Sequence, residues 1–178
     1  MCVVAAALAV VPFAQLADAK PPAAPAVPGD IQPPEGHEPF LSGHAVGVQI
    51  YSCNATASGS AWGLVAPRAT LYDDNGRAIV EHFAGPTWQA RDGSSVVATR
   101  DAPPATVDPT AIPWLRLRAT STSAGADGDK LVKTSYVQRV ATTGGLAPAA
   151  SSCDAGTAGD RVEVPYTADY YFWRESGR

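Results

Sequence analysis

Apolar and polar residues alternate with a period of two along most of this chain. Val46, Val48 and Ile50 alternate with Gly47, Gln49 and Tyr51, the pattern of a half-buried strand. From Trp114 to Thr120, Leu115, Leu117 and Ala119 fall on one face, with Arg116 and Arg118 on the other. Leu131 to Ala141 reads as a further strand, with Val132, Tyr136 and Val140 sharing a face. Near the end, Val164, Tyr166, Ala168, Tyr170 and Phe172 share one side, while Glu163, Thr167 and Asp169 lie opposite. Asp74-Asn75-Gly76 separates Ala69 to Asp73 from Ala78 to Phe83, and Asp92-Gly93 separates Thr87 to Ala90 from Ser95 to Ala98. Asn-Gly and Asp-Gly supply the positive φ angles of tight hairpins. No stretch sustains the 3.6-residue apolar period of a helix. Strands and turns recur at intervals of roughly ten residues, which predicts an all-β domain, either a β-sandwich or a partly closed β-barrel.

Two segments precede that domain. Val3 to Leu16 is almost unbroken apolar residue and is followed by Ala17-Asp18-Ala19, a small-x-small site. An apolar core ahead of such a site is the secretory pattern, although no Lys or Arg precedes the run. The run is shorter than the roughly 20 residues of a spanning helix, and Pro12 interrupts it. Residues 1–19 are therefore expected to be a signal peptide, and the mature protein to be secreted, periplasmic or extracellular. Residues 20–44 are rich in proline, including Pro21, Pro22, Pro25, Pro28, Pro33, Pro34 and Pro39. Proline removes donors and favours extended backbone, which predicts a tether or strap with a disordered first half. Residues 45–178 form the expected β-domain.

Charge narrows the partners. Without Asp18 the mature chain carries 13 basic and 16 acidic side chains, a net charge of −3. That leaves no cationic footprint for nucleic acid. No second apolar stretch in the mature chain is long enough to span a membrane. Cys53 and Cys153 survive cleavage, and an even pair in an exported protein is most simply a disulfide; two free thiols or a metal site are the alternatives. With neither a CxxC nor a nearby His, the pair makes a poor zinc site.

Several blocks resemble one family. Gly47-Val48-Gln49-Ile50-Tyr51-Ser52-Cys53 is similar to the opening of the domain-of-unknown-function family DUF3455, and His82-Phe83-Ala84-Gly85-Pro86-Thr87-Trp88 to its central motif, followed by Asp92-Gly93-Ser94. Ile112-Pro113-Trp114-Leu115, Gln138 to Gly145, and Val164-Pro165-Tyr166-Thr167-Ala168-Asp169-Tyr170 continue the match in order. The resemblance implies a small exported protein and no established activity. Some fungal members bear a malate dehydrogenase label. It does not transfer, because this chain has neither a GxGxxG after a strand nor βαβ alternation to seat a nicotinamide cofactor.

The candidate chemistry is sparse. His37, His44 and His82 show no HxH or HExxH spacing, so no metal site is expected. No serine lies in a GxSxG elbow, and no cofactor is expected. His82, Trp88, Arg139, Tyr166 and Asp169 make the more suggestive set: aromatic rings stack on a ligand and polar groups orient it. The structural alternative is the stronger: Trp62, Trp88, Trp114 and Trp173 fill the core, and Arg139 pairs with Asp169. The chain thus reads as an exported binding domain for a small molecule, a glycan or an envelope component. The alternatives are a secreted hydrolase using His82 with nearby carboxylates, and a structural envelope protein without a ligand.

Overall fold

The computed structural model describes residues 20–177, so the expected signal peptide lies outside the described residues. Eight strands follow in order: β1 (His37–Thr56), β2 (Gly59–Tyr72), β3 (Ala78–Phe83), β4 (Thr87–Ala90), β5 (Ser95–Arg100), β6 (Leu115–Ser123), β7 (Tyr136–Gly144) and β8 (Arg161–Glu175). Each pairs antiparallel with the next, and β8 returns to pair with β1. Of the two predicted all-β architectures this is the barrel, and it is closed. Closure leaves no unpaired sheet edge. Among the described residues the only helical pieces are the 3₁₀ turns Gly29–Ile31 and Ala150–Ser152, and no helix is long and apolar enough to cross a membrane.

Both predicted hairpins form where their glycines demand. Gly76 (φ 73°) closes the β2–β3 turn and Gly93 (φ 82°) the β4–β5 turn. The interior mixes small and large side chains: Ala45, Ala69, Ala90, Ala98 and Ala168 make room for Trp88, Tyr166, Tyr170 and Phe172. Such alternation fills a small barrel. Gly47 belongs to the same scheme, since a Cβ there would stand 2.4 Å from that of Ala69 across the β1–β2 pair.

One alternation has an unexpected sense. In β1 the buried set is Ala45, Gln49, Tyr51 and Cys53, while the apolar Val46 is 52% exposed. The inward face of this strand is therefore the one that carries Ala45, Gln49, Tyr51 and Cys53, and the valines face out. The seventh strand also differs from expectation. It begins at Tyr136, and the chain from Asp129 to Thr134 folds into turns through the Val132 N–H to Asp129 O and Thr134 N–H to Leu131 O bonds. Leu131 thereby becomes a fully buried plug instead of a strand residue.

The meander places its connections at two ends. The β1–β2 hairpin, the β3–β4 turn and the loops after β5 and β7 share one end. The β2–β3 and β4–β5 turns and the β6–β7 loop share the other. Residues 20–28 form no regular structure. From Gly29 the lead lies against the outside of the barrel. Gln138 Nε2 donates to Ile31 O (2.7 Å) and Arg116 Nη1 to Gln32 O (2.5 Å), and Ile31 is fully buried. Strand β1 starts at His37, within the stretch read as lead. Cys53 and Cys153 form the disulfide, with Cα atoms 5.4 Å apart, tying β1 to the β7–β8 loop.

Candidate functional site

The site grows from the β3–β4 hairpin. Alternation in β3 turns Val80 and His82 inward and Glu81 and Phe83 outward. The tight turn through Gly85 (φ 113°) brings Trp88 directly across from His82. Thr87 Oγ1 donates to Ala84 O (2.9 Å) and braces that turn. The two rings stack with centroids 4.2 Å apart and planes 7° from parallel. Tyr170 of β8 meets both rings edge-on, at 5.2 Å from His82 and 5.7 Å from Trp88.

His82 Nδ1 lies 2.9 Å from the carbonyl oxygen of Thr87. A carbonyl accepts only, so Nδ1 carries the proton and Nε2 holds a lone pair. Burial lowers the histidine pKa to about 4; the Thr87 bond opposes that shift, and repulsion from Arg139 adds to it. At neutral pH the ring is therefore uncharged.

Arg139 of β7 stands between Leu115 and Tyr170 in the sheet. Its Nη2 and Nε both donate to Pro113 O, at 2.8 and 3.3 Å. Burial raises the Tyr170 and Tyr51 hydroxyl pKa values, and the arginine charge partly offsets this in both. Tyr166 is raised in the same way by burial and then by Tyr170, whose hydroxyl lies 3.3 Å from its own. Tyr51 donates to Gly145 O (2.7 Å), which anchors the β7–β8 loop over this end.

These groups border a cavity of about 110 Å³ at the same end of the barrel, lined by His82, Trp88, Arg139 and Tyr170 together with Gln49, Leu64, Pro67, Pro86, Leu115 and Leu117. Two of the lining residues carry a buried donor that has no hydrogen-bond partner: Gln49 Nε2 and Trp88 Nε1. The residues are 2% and 1% exposed. None of the lining residues is acidic.

The structure thus gathers His82, Trp88 and Arg139, and joins Tyr166 to them through Tyr170. Asp169 stands apart. It faces outward from β8 and pairs with His44 at 2.8 Å, and Arg139 makes no ion pair with it. Gln49 escaped notice in the sequence because its neighbours Val48 and Ile50 looked like the buried face. Its place between Gly47 and Tyr51, the two inward positions flanking it, was the available signal.

With that geometry in view, relatedness can be considered. The family model for "Protein of unknown function (DUF3455)" matches residues 33–174, most of the chain. The chain belongs to this family. No curated protein and no solved structure matches it. The DUF3455 match takes in all the cavity-lining residues and both cysteines, and it begins inside the lead, at the buried Pro33.

Proposed function

We propose that this DUF3455 protein is an exported binding domain that holds one end of a small molecule in the open mouth of its barrel. The observation that carries this reading is the acid-free cavity that Arg139 lines together with His82, Trp88 and Tyr170; two of its lining residues, Gln49 and Trp88, also carry buried donors without a partner. A buried donor left without a partner costs about 1–3 kcal/mol, and native proteins keep few of them without a purpose. The cavity is smaller than the roughly 300 Å³ at which drug-sized ligand pockets begin, which favours the end of a ligand over a whole one.

Hydrolysis finds no comparable support. Among the described residues no serine, cysteine or carboxylate is hydrogen-bonded to His82, whose Nδ1 is engaged by a backbone carbonyl. A nucleophile with its oriented base is the minimum that chemistry needs. The disulfide, together with the apolar leader and its small-x-small site, supports export, since such bonds persist in oxidising compartments.

A thermal-shift screen against sugars, lipids, organic acids and nucleotides tests the binding role. A ligand of the native state raises the midpoint by mass action. A flat response to every class would remove it. N-terminal sequencing of protein recovered outside the cytoplasm is expected to begin at Lys20.

A further inference from the structure

We propose that the cavity takes the carboxylate end of a small aliphatic acid; this rests on the binding role above and names its ligand class. The polar groups around the cavity are unbalanced towards donors. Arg139 contributes a permanent positive charge. Its only hydrogen-bond acceptor besides its neighbour Tyr170 is one backbone carbonyl, at Pro113, and the ion pairs of the described residues all lie elsewhere. Gln49 and Trp88, two further lining residues, each carry a buried N–H without a partner. His82 adds no positive charge, because burial keeps it neutral at neutral pH.

A cation in a partly desolvated, acid-free cavity attracts an anion more strongly than it would in water. A carboxylate offers two oxygens, which a guanidinium pairs in a fork. The rest of the wall is apolar. Leu115 and Leu117 line the cavity, and Leu64 does so while remaining 58% exposed at its edge. A dry cavity of about 150 Å³ accommodates benzene, so about 110 Å³ holds a carboxylate with a few methylenes, and Leu64 offers apolar surface to a longer chain.

The test compares isosteres on the unaltered protein. Butyrate, butyramide, 1-butanol and inorganic phosphate are each titrated at neutral pH. Calorimetry and the Trp88 indole N–H resonance, assigned with Trp88→Phe, provide the readouts. Butyrate is expected to bind and shift that resonance, with butyramide and butanol at least tenfold weaker and phosphate without effect. Hexanoate is expected to bind more tightly than acetate. Arg139→Gln is expected to weaken butyrate at least tenfold while leaving butyramide within twofold. If butyramide matches butyrate, or phosphate displaces it, the acid class is wrong and the binding site survives. If no member of the series binds, the acid class is wrong, and the thermal-shift screen against the other ligand classes decides whether the binding role stands. The isostere comparison needs no variant, so it holds even where Arg139→Gln fails to fold.

Discussion

The Asp92 network at one end of this barrel and the cavity at the other treat their polar groups differently. Around Asp92 every partner is supplied, although Thr134 Oγ1 in the neighbouring β6–β7 loop is buried without one. Asp92 Oδ1 accepts from Ser94 N (2.9 Å) and Ser94 Oγ (2.6 Å), and Asp92 Oδ2 accepts from Lys130 N (2.9 Å). Ser94 Oγ accepts in turn from Leu131 N (3.1 Å), which seats Leu131 as a plug. The backbone there is packed so closely that a Cβ on Gly125 would fall 2.0 Å from Asp92 O. At the other end, Gln49 and Trp88 keep donors unpaired, and Arg139 has no counter-charge. Buried polar groups that are fully satisfied contribute rigidity, whereas unsatisfied ones lower stability.

Four changes would sharpen or break that contrast. The largest concerns the frame of the open end. Removing the disulfide with a Cys53→Ser/Cys153→Ser double variant frees a loop of 100 residues and is expected to cost roughly 2–5 kcal/mol in a urea unfolding curve. A loss below about 1 kcal/mol would mean that the open end is held by its strands alone.

Acid comes next. His82 has an ordinary pKa of 6.5 when unfolded and about 4 in the fold. Between those values the unfolded chain binds more protons, so stability is full above the upper one and falls as pH drops towards the lower. The loss amounts to about 3 kcal/mol and levels off once both states are protonated. Asp92 contributes in the same direction: burial alone would raise its pKa, but hydrogen bonds from Ser94 and Lys130 outweigh this and hold it below the usual range. Its support is lost as pH falls through that lowered value. Unfolding curves at pH 7 and pH 4 for the wild type and His82→Gln isolate the histidine part, because the variant retains only the smaller decline due to carboxylates such as Asp92, Asp73 and Asp108.

A smaller effect is expected at the closed end. Asp92→Asn turns an amide donor towards Lys130 N and weakens the bonds to Ser94, for a loss of about 2 kcal/mol. The smallest is Arg139→Gln, which gives up two bonds to one carbonyl at the open end and is expected to cost less than about 1 kcal/mol. If the two variants prove equally destabilising, the contrast between the ends is not energetic, and Arg139 serves the fold.

Much of the fold was legible along the chain, because strands and tight turns are written locally. Gly76 and Gly93 marked both hairpins, and the alternation from Tyr166 to Phe172 placed the inner face of β8 correctly. The site was legible in part. His82 and Trp88 sit in one short motif, six residues apart across a turn, so their proximity follows from the hairpin. Arg139 reaches them only through the ring of strands, and Gln49 was hidden by more apolar neighbours. Asp169 was grouped with Tyr166 on β8 although the alternation sets the two on opposite faces, and it points away from the cavity to His44.

By itself the sequence determined that this is an all-β chain, which residues make its turns, the cysteine pair available for a bridge, and the DUF3455 resemblance. Periodicity and turn chemistry act over a few residues, so a one-dimensional reading captures them. Only the tertiary structure decided that the sheet closes by pairing β8 with β1, which face of β1 turns inward, and which buried donors remain unpaired. Those outcomes depend on what stands opposite each side chain across the barrel, between residues more than a hundred positions apart. Spacing along the chain carries no record of that distance.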